Sequence, residues 1–386
     1  MALSLVGCAT TVVEPIPKSE QTFVLDNDEQ RLWEEAREID AWIAHSDALY
    51  ENEALQSYLQ SIMDELVEHY ATVPDNNPTV RVLKSVDINA MMLPHGNMYV
   101  NTGMLAALES EAQLATVMGH ELTHYLHRHG LSSSREFNRR MRWGTVLGVM
   151  LAGIGGNPAA AGQMGESAMM IWSISAMSGH SQDQERDADR TGLRLMTETG
   201  YDPAESVSAF ENFLDETDDA EDEEDVLFFS SHPKMSERVA NFRELLTADQ
   251  FVAGVGDIGR DRYLEITKPV SLANIEQTID IAQYEMAHKS IDTHLERWSD
   301  DADAHYFRGL AIVNDGAQAD SEDEARKAYE KSAALGDAPA EVHRELGHMY
   351  RANGDDALAQ DAYRRYLQLA PDAVDAPIVK LLLDSI

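Results

Sequence analysis

Apolar residues recur every three to four positions between about Asp28 and Tyr70, in RLWEEAREIDAWI and LQSYLQSIMDELVEHY. That spacing predicts two amphipathic helices. The period then changes: VRVLKSVDINAMMLPHGNMYVNTG carries β-branched runs interrupted at Pro94-His95-Gly96 and predicts a hairpin. Helical spacing returns in VMGHELTHYLH, where Ser110 with Gln113 three residues on reads as a capping box and Gly130 as the stop. A second capping box, Ser181 with Gln184, opens a helix that runs to Gly200, and Asp202-Pro203-Ala204-Glu205 opens another. The pattern gives an α+β chain, mostly helical, with one small hairpin or sheet.

The stretch WGTVLGVMLAGIGG, residues 143–156, has no charge, and Gly144, Gly148 and Ala152 lie four apart. It is too short to span a bilayer, so a buried or re-entrant helix is expected, with a membrane-touching hairpin with Ala168–Met177 as the alternative. DETDDAEDEED, from Asp215 to Asp225, reads as a solvated loop and lacks the spaced ligands and glycine of a calcium loop. The tail repeats itself. Ala325 and Ala359 are 34 residues apart, as are Tyr329 and Tyr363. With Leu346, Gly347, Tyr350 and Pro371, the second copy falls at the offsets of a tetratricopeptide repeat. The first copy has Gly309 and about four extra residues around Gln318–Asp320. Two copies are few for a stack, so Asn274–Trp298 is expected to supply a third, degenerate pair or the array to lean on its neighbour.

Charge narrows the partners. The 386 residues hold 30 Lys and Arg against 68 Asp and Glu, a net charge of −38, which excludes nucleic acid because phosphate binding needs clustered cations. The acidic excess is read as a solubilising surface. One cysteine rules out a disulfide framework and a cysteine-based zinc site. Cys8, behind Leu5-Val6-Gly7, resembles the lipobox of bacterial lipoproteins, although only seven uncharged residues precede it. Residues Ala9 to about Thr22 then read as a tether. An anchor at Cys8 places the rest outside the cytoplasm, and Ala9 rather than Asp behind it favours the outer membrane.

His120-Glu121-Leu122-Thr123-His124 is an H-E-x-x-H motif. On a helix the two histidines share one face, so both imidazoles reach one ion with the glutamate beside them. Two imidazoles and a carboxylate favour zinc. A third ligand six residues on is closed, because that position is Gly130. A carboxylate from a later helix remains. Glu185 and Asp189, again four apart, offer one metal ligand and one acceptor for the free N–H of a ligand histidine, or simply an acidic helix face. His127 and His129 are read as helix-end surface histidines, and His95 has no assigned role.

The order NAMMLPHGNMYVNTG, GHELTHYLHRHG, SQDQERDADRTGLRLM and SSHPKMSER resembles the HtpX and CAAX-endopeptidase superfamily of gluzincin metallopeptidases, in its soluble, BepA-like bacterial branch with tetratricopeptide repeats. The resemblance implies a zincin-type domain holding one Zn2+ per chain on His120, His124 and Glu185. It implies Glu121 as the catalytic base and Asp189 behind the ligands. His232-Pro233 and Arg238 match a later family motif: His232 would approach the zinc and restrain activity, and Arg238 could stabilise an oxyanion. A turn residue and a surface ion pair are the plainer readings of those two. Residues Asn89, Ala90 and Met91, in the strand around Ile88–Leu93, would offer an edge to an extended peptide.

The implied domains are a lipoprotein signal remnant and tether (1–22), a zinc metallopeptidase domain (23–265), and a helical linker with the repeats (266–386). The implied function is a periplasmic, membrane-anchored zinc endopeptidase acting on unfolded or misassembled envelope proteins, with the repeats recruiting substrates or partners. The alternative is an envelope chaperone or adaptor with a silent or His232-capped metal site.

Overall fold

A computed structural model describes residues 13–17, 23–68, 77–141, 180–217, 235–248, 251–316 and 321–386. Cys8, His232 and the segments 143–156, 168–177 and 218–225 lie outside them, and with them the anchor, cap and membrane-hairpin expectations and most of the acidic run; its first three residues, 215–217, end a helix instead of forming a loop. The chain forms two compact units, Met1–Lys268 and Pro269–Ile386. Both are rich in helix, and the only sheet among the described residues has three strands. The fold is therefore mostly helical α+β.

In the first unit, helices α1 (Asn27–His45) and α2 (Glu53–Val67) arise where the apolar spacing predicts them. Asp26 and Glu29 form a reciprocal capping box on α1, and Asn52 Oδ1 accepts from Leu55 N at 3.0 Å to cap α2. The hairpin also forms: β2 (Ala90–Met92) runs antiparallel to β3 (Asn97–Asn101), turning at Gly96 with φ 101°. Its neighbour was not foreseen. β1 (Thr79–Leu83) lies parallel to β3, giving the order β1-β3-β2 and leaving β2 at an edge. Ala36, Ile43, Leu49, Leu83, Met91, Leu93 and Tyr99 form the core between α1 and this sheet.

After the short α3 (Thr102–Ala107) comes α4 (Glu111–Leu126), every residue of which is buried. A helix covered on all sides shows only a weak amphipathic stripe. Its predicted capping box forms in part. Ser110 Oγ accepts from Gln113 N at 3.2 Å, but Gln113 Oε1 takes the amide of Glu109, so the loop is closed one residue early.

The stop predicted at Gly130 is also displaced. α4 ends at Leu126, Arg128 adopts φ 55°, and α5 (His129–Met141) begins at once with Gly130 inside it. The Arg128 side chain explains the break: its guanidinium pairs with Glu29 and lies over the Phe23 ring. Part of the expected tether is docked as well. Ile16 is buried and its N–H donates to Leu126 O at 2.7 Å.

Helix α6 (Gln182–Glu198) has the reciprocal Ser181–Gln184 capping box. Helices α7 (Glu205–Thr217), α8 (Met235–Ala248) and the start of α9 (Arg260–Asp280) complete the unit.

The second unit continues α9 and adds α10 (Tyr284–Arg297), α11 (Ala302–Asp315), α12 (Ser321–Ala334), α13 (Ala340–Asn353), α14 (Asp356–Leu369) and α15 (Ala376–Asp384), with consecutive helices packed together. Gly309 lies against the Tyr329 ring and Gly347 against the Tyr363 ring, the same contact in successive helix pairs. Ile275, Ile279, Ala287, Ile291 and Ala311 form a core where the degenerate third pair was expected. No helix among the described residues is long and apolar enough to cross a membrane.

Candidate metal centre

The site lies where α4 crosses α6. Two glycines allow the crossing. A Cβ on Gly192 would stand 2.7 Å from His120 N and 2.8 Å from Gly119 C, and one on Gly119 would meet Gly192 O at 3.0 Å. The helix backbones thus touch beside the first histidine of the motif. On α6, Asp189 and Glu185 lie one and two turns before Gly192, on the face turned to α4.

Three side chains converge. His120 Nε2 and His124 Nε2 are 3.1 Å apart, and the Glu185 oxygens lie 3.5 Å from each. Ligands bonded at 2.0–2.1 Å in a tetrahedron stand roughly 3.3 Å from one another, so the two imidazole nitrogens and the Glu185 carboxylate, Oε2 toward His120 and Oε1 toward His124, have the spacing of donors around one small divalent cation. The donor set fits zinc in chemistry as well as in spacing. Glu121, also buried, puts Oε1 3.9 Å from His120 Nε2. It is beside the ligand face without being part of the ligand cluster.

The remote nitrogens are held from behind. Asp189 Oδ1 is 3.0 Å from His120 Nδ1, which orients that imidazole and leaves Nε2 facing the cluster. Arg238, on α8, secures Asp189 with Nη2–Oδ1 at 2.5 Å and Nε–Oδ1 at 3.1 Å, and its Nη1 is 3.5 Å from Glu185 Oε2. Its guanidinium also lies over the Phe210 ring at 4.3 Å. The neighbouring carboxylates of Asp189, Glu185 and Glu121 outweigh the effect of burial and hold Arg238 charged. It is fully buried, so the surface ion pair read from sequence is corrected.

The second correction concerns His129, which is buried, not a helix-end surface residue. The left-handed turn at Arg128 folds it back so that its Nδ1 is 2.9 Å from His124 Nδ1. On a continuing helix a residue five positions on would leave the ligand face. Asp187 Oδ2 then lies 3.2 Å from His129 Nε2 and 2.5 Å from His127 Nδ1. Hydrogen bonds from His127 and then His129 pull the Asp187 carboxyl below the ordinary carboxylate range. His180 stacks on His124 with ring centroids 3.7 Å apart. Sequence reading missed His180 and Asp187 too. A histidine directly before the cap at Ser181, and an acid between Glu185 and Asp189, were the available signals.

The expected substrate residues are on or beside β2. All three side chains are buried; Ala90 and Met91 are on the edge strand, which packs against α4, and Asn89 immediately precedes it.

The model of peptidase family M48 matches residues 53–246, just over half of the chain and all of the described site. The chain belongs to peptidase family M48. Among curated relatives it is similar to the beta-barrel assembly-enhancing protease of Escherichia coli (strain K12), 26% identical over 223 residues, covering 57% of this chain and 44% of that protein. It is likewise 26% identical over 232 residues to mitochondrial metalloendopeptidase OMA1 of Bos taurus, covering 58% and 42%. The human OMA1 shares 32% over 117 residues, 29% of this chain and 22% of the relative. The chain thus spans less than half the length of the curated relatives it matches. The M48 assignment makes it a gluzincin metallopeptidase, and the His120, His124 and Glu185 cluster could hold its metal.

Proposed function

We propose that this M48 protein is a zinc-dependent endopeptidase that hydrolyses peptide bonds of unfolded or misassembled cell-envelope proteins. The observation that carries the reading is the convergence of His120 Nε2, His124 Nε2 and Glu185 within 3.5 Å of one another, with the Glu121 carboxylate alongside. Zinc bound there would supply a Lewis acid that polarises the scissile carbonyl and acidifies water. Glu121 accepts the proton of the attacking water and passes it to the departing amine nitrogen. Asp189 and Arg238 hold His120 and Glu185 in place. That geometry supports a positioning role for Arg238 better than an oxyanion role, since its Nε and Nη2 bond Asp189 and Nη2 also lies 2.8 Å from His120 Nδ1.

The edge position of β2 beside α4 supports an extended peptide added at Asn89–Met91, which reads backbone more than sequence and suits unfolded clients. The repeated glycine–tyrosine contacts support tetratricopeptide-type pairs that recruit substrate or envelope partners. The name of the Escherichia coli relative and the lipobox-like run at Cys8 support a periplasmic, lipid-anchored protein, with the outer membrane favoured. Glu121 kept beside the ligand pair argues against a silent adaptor.

Glu121→Gln tests the reading. It is expected to retain zinc while casein cleavage falls by about 100- to 10,000-fold, the share a general base contributes. Undiminished cleavage would overturn it.

A further inference from the structure

Outside the ligand set, the described residues contain one other cluster suited to a cation, His127, His129 and Asp187. It adjoins the metal centre, and its proton accounting decides what it does. The accounting rests on the reading that His124 binds zinc.

His124 faces the ligand cluster through Nε2, 3.1 Å from His120 Nε2 and 3.5 Å from Glu185 Oε1. Donating the Nε2 lone pair to a metal leaves a neutral imidazole with its proton on Nδ1. That Nδ1 is 2.9 Å from His129 Nδ1, so the contact is a hydrogen bond only if His129 Nδ1 is bare. The one proton of a neutral His129 is then on Nε2, 3.2 Å from Asp187 Oδ2, which can only accept. Every donor in the series meets an acceptor.

The alternative fails at one atom. If His129 gave its Nε2 lone pair to a second cation, its proton would move to Nδ1 and confront the N–H of His124 at hydrogen-bond distance. A loaded main site and a second cation on His129 are therefore mutually exclusive in this geometry. His127 Nδ1, 2.5 Å from the same Asp187 Oδ2, completes the arrangement by giving the carboxylate a second bond.

We propose that Asp187 and His129 form a hydrogen-bonded chain to His124 that fixes the tautomer and orientation of this zinc ligand, and that the chain does not hold a second metal ion. His120 and His124 are thus served differently: a carboxylate meets the first directly, whereas a histidine is interposed for the second. His129 is a positioning residue. The interposed ring meets His124 of α4 at 2.9 Å through Nδ1 and Asp187 of α6 at 3.2 Å through Nε2.

The test is zinc affinity of the full-length chain, measured by chelator competition. His129→Leu is expected to weaken zinc binding by about 10- to 100-fold, the size of effect seen on removing a group that orients a metal ligand. His129→Asn puts an amide oxygen near the Nδ1 position and should recover most of that loss. A parent that takes up one zinc, with His129→Leu binding within about twofold of it, overturns the inference and leaves the endopeptidase reading standing. A parent that binds no zinc overturns the endopeptidase reading and this inference with it. Uptake of two zinc ions, the second lost in His127→Ala, also overturns the inference alone. Should His129→Leu not fold, nitrogen NMR of the zinc-loaded parent decides. The expected state has His124 protonated on Nδ1 and His129 on Nε2, and a proton on His129 Nδ1 refutes it.

Discussion

Both units of the molecule bring helices together over glycine, and they use the space for different ends. At the α4–α6 crossing, Gly119 and Gly192 let backbone meet backbone, and the closeness places ligands and their supports. In the second unit, Gly309 and Gly347 each receive a tyrosine ring. The surroundings differ in kind. Glu29, Glu111, Glu121, Glu185, Asp189 and Arg238 are all buried in the first unit, whereas the second buries Tyr329, Tyr363, Tyr366 and alanines, with His294 and Asp301 as its buried ionisable pair. One interface builds a polar site that tolerates little displacement. The other is an apolar joint made twice.

The largest effect is expected where a side chain has nowhere to go. Gly192→Ala pushes a methyl group against the backbone of Gly119 and His120, so the helices must separate. Overpacking of this kind costs about 1–3 kcal/mol, and separation moves Glu185 and Asp189 away from the histidines. Zinc affinity should fall by at least about 100-fold, the upper end for loss of support around a metal ligand. Chelator competition and thermal unfolding read the two effects. A Gly192→Ala protein that unfolds and binds zinc like the parent would mean that the crossing does not set the site.

How much of this was legible follows from which signals are local. His120 and His124 were readable because a helix repeats its face every four residues, and Glu185 with Asp189 for the same reason. The cap at Ser181 is a local bond and formed as expected. The parallel pairing of β1 with β3, the Gly119–Gly192 contact and the approach of His129 to His124 were not readable. Each joins segments whose partner no local period specifies. The last also depends on a left-handed arginine, a conformation that composition does not announce. Glu111 belongs with these: its position as first residue of α4 was clear, but its partners Tyr58, Tyr201 and Arg262 come from three distant segments.

Those partners give the comparison an acid test. Burial works to raise the pKa of Glu111, but hydrogen bonds from Arg262, Tyr201 and Tyr58 outweigh it and hold the carboxyl below its usual 4.5. A group depressed in the folded state contributes stability that is fully present above the unfolded value and is lost as pH falls through the folded one. The first unit should therefore weaken as pH drops below about 4.5. Glu111→Gln should lower its stability at neutral pH by about 1.5–3 kcal/mol, as for a hydrogen bond to a charged group, and flatten the acid dependence. Urea unfolding followed at several pH values reads both. In the second unit, Asp375 is also held low, by the Tyr366 hydroxyl and then Arg344, but it is part-exposed and its share should be smaller. Equal acid sensitivity of the two units would undo the contrast.

The smallest effect is expected at Gly347→Ala. The added methyl meets the Tyr363 ring, not a backbone, and the ring's hydroxyl is bonded to His348 Nδ1 at 2.9 Å, so a shift strains one hydrogen bond and some packing. About 1–2 kcal/mol of destabilisation is reasonable for overpacking that a side chain can relieve. Because the contact recurs at Gly309 and Tyr329, the neighbouring pair retains its own joint, and the loss should stay within the second unit. Zinc affinity and cleavage of a short peptide should match the parent, while the recruiting role proposed for the repeats predicts slower cleavage of a protein client. A drop in short-peptide cleavage as large as that of Gly192→Ala would show that the repeats help to hold the metal centre in shape, and the division of labour between the two kinds of glycine contact would no longer stand.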